Sequence, residues 1–143
     1  MTKEEAELWI RRLEGGNSDD AYRPSSNLSI VLRLMLHSHI KMAVVCNLTV
    51  GDFRRREYIG TRSAGDCYPF DVTEEDDKIV ESHISEYQLT ESEYLIQVTD
   101  RPMRFKFQNL VSVYYNGQGK RPEIGDFFFA GLGIEDNKSM RRK

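Results

Sequence analysis

The fold of this chain depends on one apolar stretch, LSIVLRLMLH, at residues 28–37. Leucine or isoleucine occupies every even-numbered position of the stretch, and more varied side chains occupy the odd-numbered positions. A period of two predicts a long β-strand, because successive side chains of a strand point to opposite faces of the sheet. A helix is the competing interpretation, since a short apolar run can also be a buried helical segment.

Similar patterns further along the chain predict more strands. Apolar and β-branched side chains mark additional strands at residues 42–50, 94–98, 103–108, 110–115 and 124–130. The first of these is expected to pair with the opening stretch as a hairpin, with its turn near residues 38–41. A glycine-rich turn is expected at residues 116–119.

An N-terminal helix is predicted from a capping box, in which Thr2 is followed three residues later by Glu5. The glycine pair at 15–16 ends this helix. The side chains that share its apolar face are Ala6, Trp9, Ile10 and Leu13. A helix of about a dozen residues is marginal alone, so this face is expected to dock on the sheet or on a partner.

A central acidic helix is predicted from its cap, Thr73, to about Tyr87. The elements together predict an α+β fold, with an antiparallel sheet of about five to seven strands, curled or closed into a partial barrel, and two helices against it. A chain of 143 residues, 39% hydrophobic and 30% charged, is expected to form a single domain. Within it we expect an N-terminal helix and linker at 1–26, a sheet-containing core at 27–134 and a basic tail at 135–143.

Charge is distributed unevenly along the chain, although the net charge is only −3. Residues 71–93 hold nine acidic side chains against one lysine, a local net charge of −8. Basic residues collect at 54–56, 101–106, 120–121 and 138–143. Either kind of segment offers a docking surface for a partner of opposite charge. The candidate binding residues are Arg54, Arg55, Arg56, Arg104, Lys106, Glu75, Asp76 and Glu81.

The chain contains residue types that serve in catalytic, metal-binding and phosphate-binding sites, but they lack the spacing that such sites require. The segment 117–120 has neither the longer loop nor the Ser or Thr of a phosphate-binding loop, so it is interpreted as a turn. His37 and His39 lack a third metal ligand at a recognisable spacing, and nothing marks a base for Cys67. We therefore expect no catalytic residue, no metal and no cofactor.

Three consecutive phenylalanines, Phe127 to Phe129, place aromatic rings on both faces of a predicted strand. Such a strand must be covered on both sides, either by the protein's own helices or by a partner chain. Trp9, Phe127 and Phe129 are therefore the candidate interface residues.

These observations favour a non-enzymatic protein-interaction or structural accessory module that binds a protein partner or its own copies. The composition resembles that of small virus- or phage-encoded accessory proteins. One alternative is a nucleic-acid-binding domain that uses residues 54–56 and the basic strand 101–106, although the acidic block would repel a polyanion. A small enzyme with an unrecognised site is the second alternative. No membrane span or secretory signal is visible, which predicts a cytoplasmic or nuclear protein.

Overall fold

The computed structural model describes residues 1–15, 26–59, 67–117 and 119–134. In these ranges the chain forms seven helices and one antiparallel sheet of two strands. The elements are α1 (Lys3–Gly15), α2 (Ser26–His37), α3 (Met42–Val45), α4 (Val50–Arg55), β1 (Glu57–Ile59), β2 (Cys67–Pro69), α5 (Glu74–Tyr87), α6 (Asp100–Tyr114) and α7 (Asp126–Gly131). The predicted basic tail and all of the predicted linker except Ser26 lie outside the described residues.

The prediction of an α+β fold with five to seven strands is wrong, and the stretch at 28–37 shows why. It is helical, and every residue from Asn27 to Leu36 is buried. A helix that is covered on all sides has no polar face, so the usual period of 3.6 disappears from its sequence. The alternation of leucines with other side chains was therefore no sign of a strand.

The predicted strand at 42–50 is also wrong, because residues 42–45 form α3, residues 46–49 are a non-helical turn, and α4 begins at Val50. Thr49 caps α4 in a capping box, since its hydroxyl accepts from the Asp52 backbone N–H and the Asp52 carboxylate accepts from the Thr49 backbone N–H. The predicted strand at 94–98 is instead irregular chain, held to α4 by one isolated bridge between Thr49 and Tyr94.

The predicted strands at 103–108 and 110–115 are replaced by the single helix α6. Phe105 and Phe107 would lie on the same face of a strand. On the helix they lie on different sides, and Phe105 is 70% exposed while Phe107 is fully buried. The predicted strand at 124–130 is helical over most of its length, as α7.

The two helices predicted from caps are confirmed. The Glu5 backbone N–H donates to the Thr2 hydroxyl at the start of α1, and the Asp76 backbone N–H donates to the Thr73 hydroxyl at the start of α5. Three of the four side chains on the predicted apolar face of α1 are buried, and Trp9 is partly buried. These helices expose one face to water, so their sequences keep the helical period.

Helix α2 lies at the centre of the described part of the fold and packs against α1, α3, α5 and α7. The approach of α7 is close because Gly131 has no side chain, and a Cβ atom there would collide with the Leu36 carbonyl. The ring of Phe127 packs edge-on against Phe107, with ring centroids 5.7 Å apart. The core is therefore a set of helices around α2.

Candidate functional site

A guanidinium lies inside the fold, on the central helix. Arg33 of α2 is 8% exposed and donates from Nε and Nη2 to the two carboxylate oxygens of Glu14 in α1, at 2.8 and 2.7 Å. Its Nη1 donates to Glu75 and Asp76 of α5, at 2.9 Å each. The bonds to Glu14 contribute most to raising the pKa of Arg33 above its ordinary value, against the effect of burial. One side chain therefore ties α1 and α5 to α2.

The next turn of α2 carries a second ionisable group. The Nε2 atom of His37 lies 2.9 Å from a Glu7 carboxylate oxygen, and its Nδ1 lies 2.7 Å from Asp76. The bond to Asp76 is the main reason that the pKa of His37 is raised. Burial alone would raise the pKa of Asp76, but its bonds with His37 and Arg33 outweigh burial and lower it. Both ring nitrogens of His37 are thus bound to carboxylates.

We call Glu7, Glu14, Arg33, His37, Glu75 and Asp76 the central charge network. A cavity of about 230 Å³ lies beside it. Its acids and bases already satisfy one another, so the network resembles a structural tie more than a site that waits for a ligand. Asp76, a candidate for partner binding by sequence, is almost completely buried here.

The arginines predicted to grip nucleic acid meet acidic side chains of this same chain. Arg54 donates to Glu81 at 2.9 Å, and Arg56 donates to Asp77 at 2.7 Å. Arg55 donates to Asp52, one turn earlier in α4, also at 2.7 Å. The fold therefore joins the basic segment 54–56 to the acidic helix α5, and the two opposite docking surfaces expected from sequence partly neutralise each other.

Helix α6 presents the other basic candidates to solvent. Arg101, Arg104, Phe105 and Lys106 are all exposed on it. Successive residues turn by about 100° around a helix, which places Phe105 between Arg104 on one flank and Lys106 on the other. Within the described part of the chain, neither Arg101 nor Lys106 pairs with an acidic side chain. Arg101 and Lys106 therefore keep their positive charge on this surface.

The three candidate interface residues contribute to packing within the chain. Phe127 is fully buried, and Phe129 is partly buried, with its neighbour Phe128 5.4 Å away between ring centroids. Trp9 packs against the core, and the Arg12 guanidinium lies 5.0 Å from its ring centroid. The cover for the aromatic run comes from the protein's own helices, at least for Phe127.

The structure also joins two side chains that sequence reasoning did not connect. The hydroxyl of Ser26, at the start of α2, lies 2.8 Å from Nδ1 of His83 in α5, and Nε2 of His83 lies 2.8 Å from the Leu95 carbonyl oxygen. Ser26 and His83 are 57 positions apart and belong to no recognisable motif. No local signal could have paired them.

Comparisons with known proteins do not assign this chain to a family. No family model, no curated protein and no solved structure matches this chain. None of the helices in the described residues combines the length and the hydrophobicity that a bilayer span requires. In those same ranges no three His, Cys, Asp or Glu side chains are grouped as a metal site would require.

Proposed function

We propose that this chain is a protein-binding module that docks an acidic partner through the outward side of α6. The observation that carries the proposal is the 70% exposure of Phe105 among cationic side chains. We define the α6 docking face as Arg101, Arg104, Phe105, Lys106 and Val113, all of which are exposed.

The chemistry of the α6 docking face supports a partner with an apolar centre and an acidic rim. When a partner covers a water-exposed aromatic ring, the free energy of the system falls. Aromatic and arginine side chains are the commonest anchors of protein interfaces. The cations Arg101 and Lys106 on the same helix, unpaired among the described residues, favour carboxylates on the partner and raise the rate of encounter.

The internal pairing of charge supports the choice of partner class. A nucleic acid would need many cations on one surface, since its affinity depends on phosphate neutralisation. Arg54, Arg55 and Arg56 already bind carboxylates of this chain, and the net charge of the protein is negative. A single basic helix face with one exposed ring fits a protein segment better than an extended polyanion.

The test uses a labelled synthetic peptide of about 16 residues, long enough to form a helix, with leucines on one face and glutamates on the other. Fluorescence anisotropy at about 0.15 M salt should show saturable binding, and Phe105→Ala should weaken it about tenfold, the loss of about 1.4 kcal/mol. Lys106→Glu should also weaken binding. Arg11→Glu, which makes the same change of charge at an exposed position of α1, should not.

Three results would overturn the proposal. The first is peptide binding that Phe105→Ala and Lys106→Glu leave unchanged, and the second is no binding beyond that of a scrambled peptide of equal composition. The third is tighter binding of a short oligonucleotide than of the peptide at the same salt concentration, which would favour nucleic acid as the partner.

A further inference from the structure

We propose that Ser26 and His83 form a nucleophile and base pair that accepts the acyl group of a small carboxylic ester. This proposal is independent of the α6 docking face, because it rests on a different site with different residues. It assigns a reaction to a chain in which the sequence predicts none.

The hydrogen bonds of His83 define the tautomer of its neutral ring. A backbone carbonyl can only accept, so the bond to Leu95 requires that Nε2 carries the hydrogen. The neutral ring then has its lone pair on Nδ1, which accepts from the Ser26 hydroxyl. His83 is 2% exposed, and the ring of Tyr87 lies 4.8 Å away between centroids, so the imidazole is held in place. A nucleophile, a base and a group that orients the base are therefore aligned.

The pair is open to small molecules on one side. Ser26 and His83 line a shallow cavity of about 330 Å³. The cavity is also lined by Ile79, by the Glu86 carboxylate, and by two donors, the Ser82 hydroxyl and the Lys78 ammonium, which also lies 3.5 Å from Glu74. Its size suits a short acyl chain, and the donors suit an oxygen that gains negative charge as the ester is attacked.

The reaction follows from the positions of the atoms. The Ser26 Oγ attacks the ester carbonyl carbon, and its proton passes to Nδ1 of His83. The carbon–oxygen bond to the alcohol then breaks, and the departing oxygen takes the proton from Nδ1, which leaves acyl-Ser26. Water, deprotonated by the same nitrogen, releases the carboxylic acid and restores the hydroxyl. General base catalysis of this kind contributes about 10²- to 10⁴-fold in rate.

The test is covalent labelling with an alkyl fluorophosphonate, in which the serine oxygen bonds to phosphorus and fluoride leaves. Peptide mass spectrometry should find the label on Ser26. Ser26→Ala should abolish it, and His83→Gln, whose amide can form hydrogen bonds but is no base, should slow it by about 100-fold or more. Ser85→Ala, at an exposed serine of α5, is the matched control, and this variant should be labelled normally on Ser26.

A second readout does not depend on the histidine variant remaining folded. p-Nitrophenyl acetate should release an initial burst of nitrophenolate from the unaltered protein, and this burst should disappear in Ser26→Ala with an unchanged melting temperature. Absence of both label and burst from the unaltered protein would overturn the proposal. Label on a serine other than Ser26 would overturn it as well.

Discussion

Helices α2 and α6 both carry cations within apolar sequence, yet the two helices use their charges differently. Arg33 of α2 lies inside the molecule, where it binds Glu14, Glu75 and Asp76. Lys106 of α6 lies on the surface and has no acidic partner among the described residues. The first charge belongs to the fold, and the second remains available to another molecule.

A block of charge in the sequence therefore need not be a binding surface. Residues 74–81 supply carboxylates to Arg33, Arg54 and Arg56, so much of the acidic block is neutralised internally. Because a paired charge has already lost part of its water, its removal should cost stability. Removal of an exposed charge should affect only binding.

The largest expected effect is on the central charge network. Arg33→Ala leaves Glu14 without its cation and leaves the buried Asp76 with His37 alone, so the free energy of unfolding should fall by about 3–5 kcal/mol. Lys106→Ala, on the exposed helix face, should change it by less than about 0.5 kcal/mol. Urea unfolding of both variants measures the contrast, and equal losses would show that the two regions do not differ.

A loss of similar size separates the two sides of α6. Phe107→Ala removes a fully buried ring that packs on Phe127, and it should cost about 3–5 kcal/mol. Phe105→Ala should cost no more than about 0.5 kcal/mol, because that ring is exposed. Thermal and urea unfolding give the two values. Similar costs would contradict the difference in burial between the two rings.

A smaller effect concerns pH. The pKa of His37 is raised above its ordinary value of 6.5 by Asp76 and Glu7, so the folded state binds the proton more tightly than the unfolded state. The stabilisation is complete below about pH 6.5 and is lost as the pH rises through the folded pKa. The free energy of unfolding should therefore fall with rising pH in that window.

His37→Gln should flatten this pH dependence, since it removes the group that titrates. A profile that is as steep in the variant as in the unaltered chain would assign the effect to another group. At the acidic end, the lowered pKa of Asp76 predicts the opposite slope. Its stabilisation is present above its ordinary value of 3.8 and is lost as the pH falls through the folded value.

A small effect is expected at the surface ion pair of Arg56 and Asp77, whose side chains are 35% and 39% exposed. Asp77→Asn keeps the size of the side chain and removes its charge, and it should reduce the free energy of unfolding by about 1 kcal/mol or less. Addition of about 1 M salt should reduce the difference between variant and unaltered protein further. A loss as large as that of Arg33→Ala would place this pair in the same class as the central charge network.

Sequence predicts α1 and α5, but it fails for the buried α2 and also for α6. The buried side chains of α6, which are Met103, Phe107, Leu110 and Val111, keep a helical spacing. The helices α1 and α5 could be found because Thr2 and Thr73 cap them and because one face of each meets water. Helix α2 is covered on all sides, so neither polar face nor period was left to identify it. The capping box of Thr49 and Asp52 was readable and would have corrected the predicted strand at 42–50.

The candidate sites differ in the same way. Arg104 and Lys106 could be selected from sequence as exposed cations, because local composition marks a basic segment. The pairing of Ser26 with His83, or of Arg33 with Asp76, depends on how α2 and α5 pack. Contacts between distant segments have no local signal, and without related sequences nothing in one chain identifies them.

Nuclear magnetic resonance can test directly whether the peptide binds the α6 docking face, because it maps the peptide's contacts on the protein. The isotope-labelled chain is titrated with the acidic amphipathic peptide, and the backbone amide shifts are followed. We expect the largest shifts on residues 100–114, whereas the signals of 54–56 and 74–81 should stay near their starting positions. Shifts centred on 54–56 or 74–81 would contradict this expectation, because those charges would then bind the peptide although they form ion pairs within the chain.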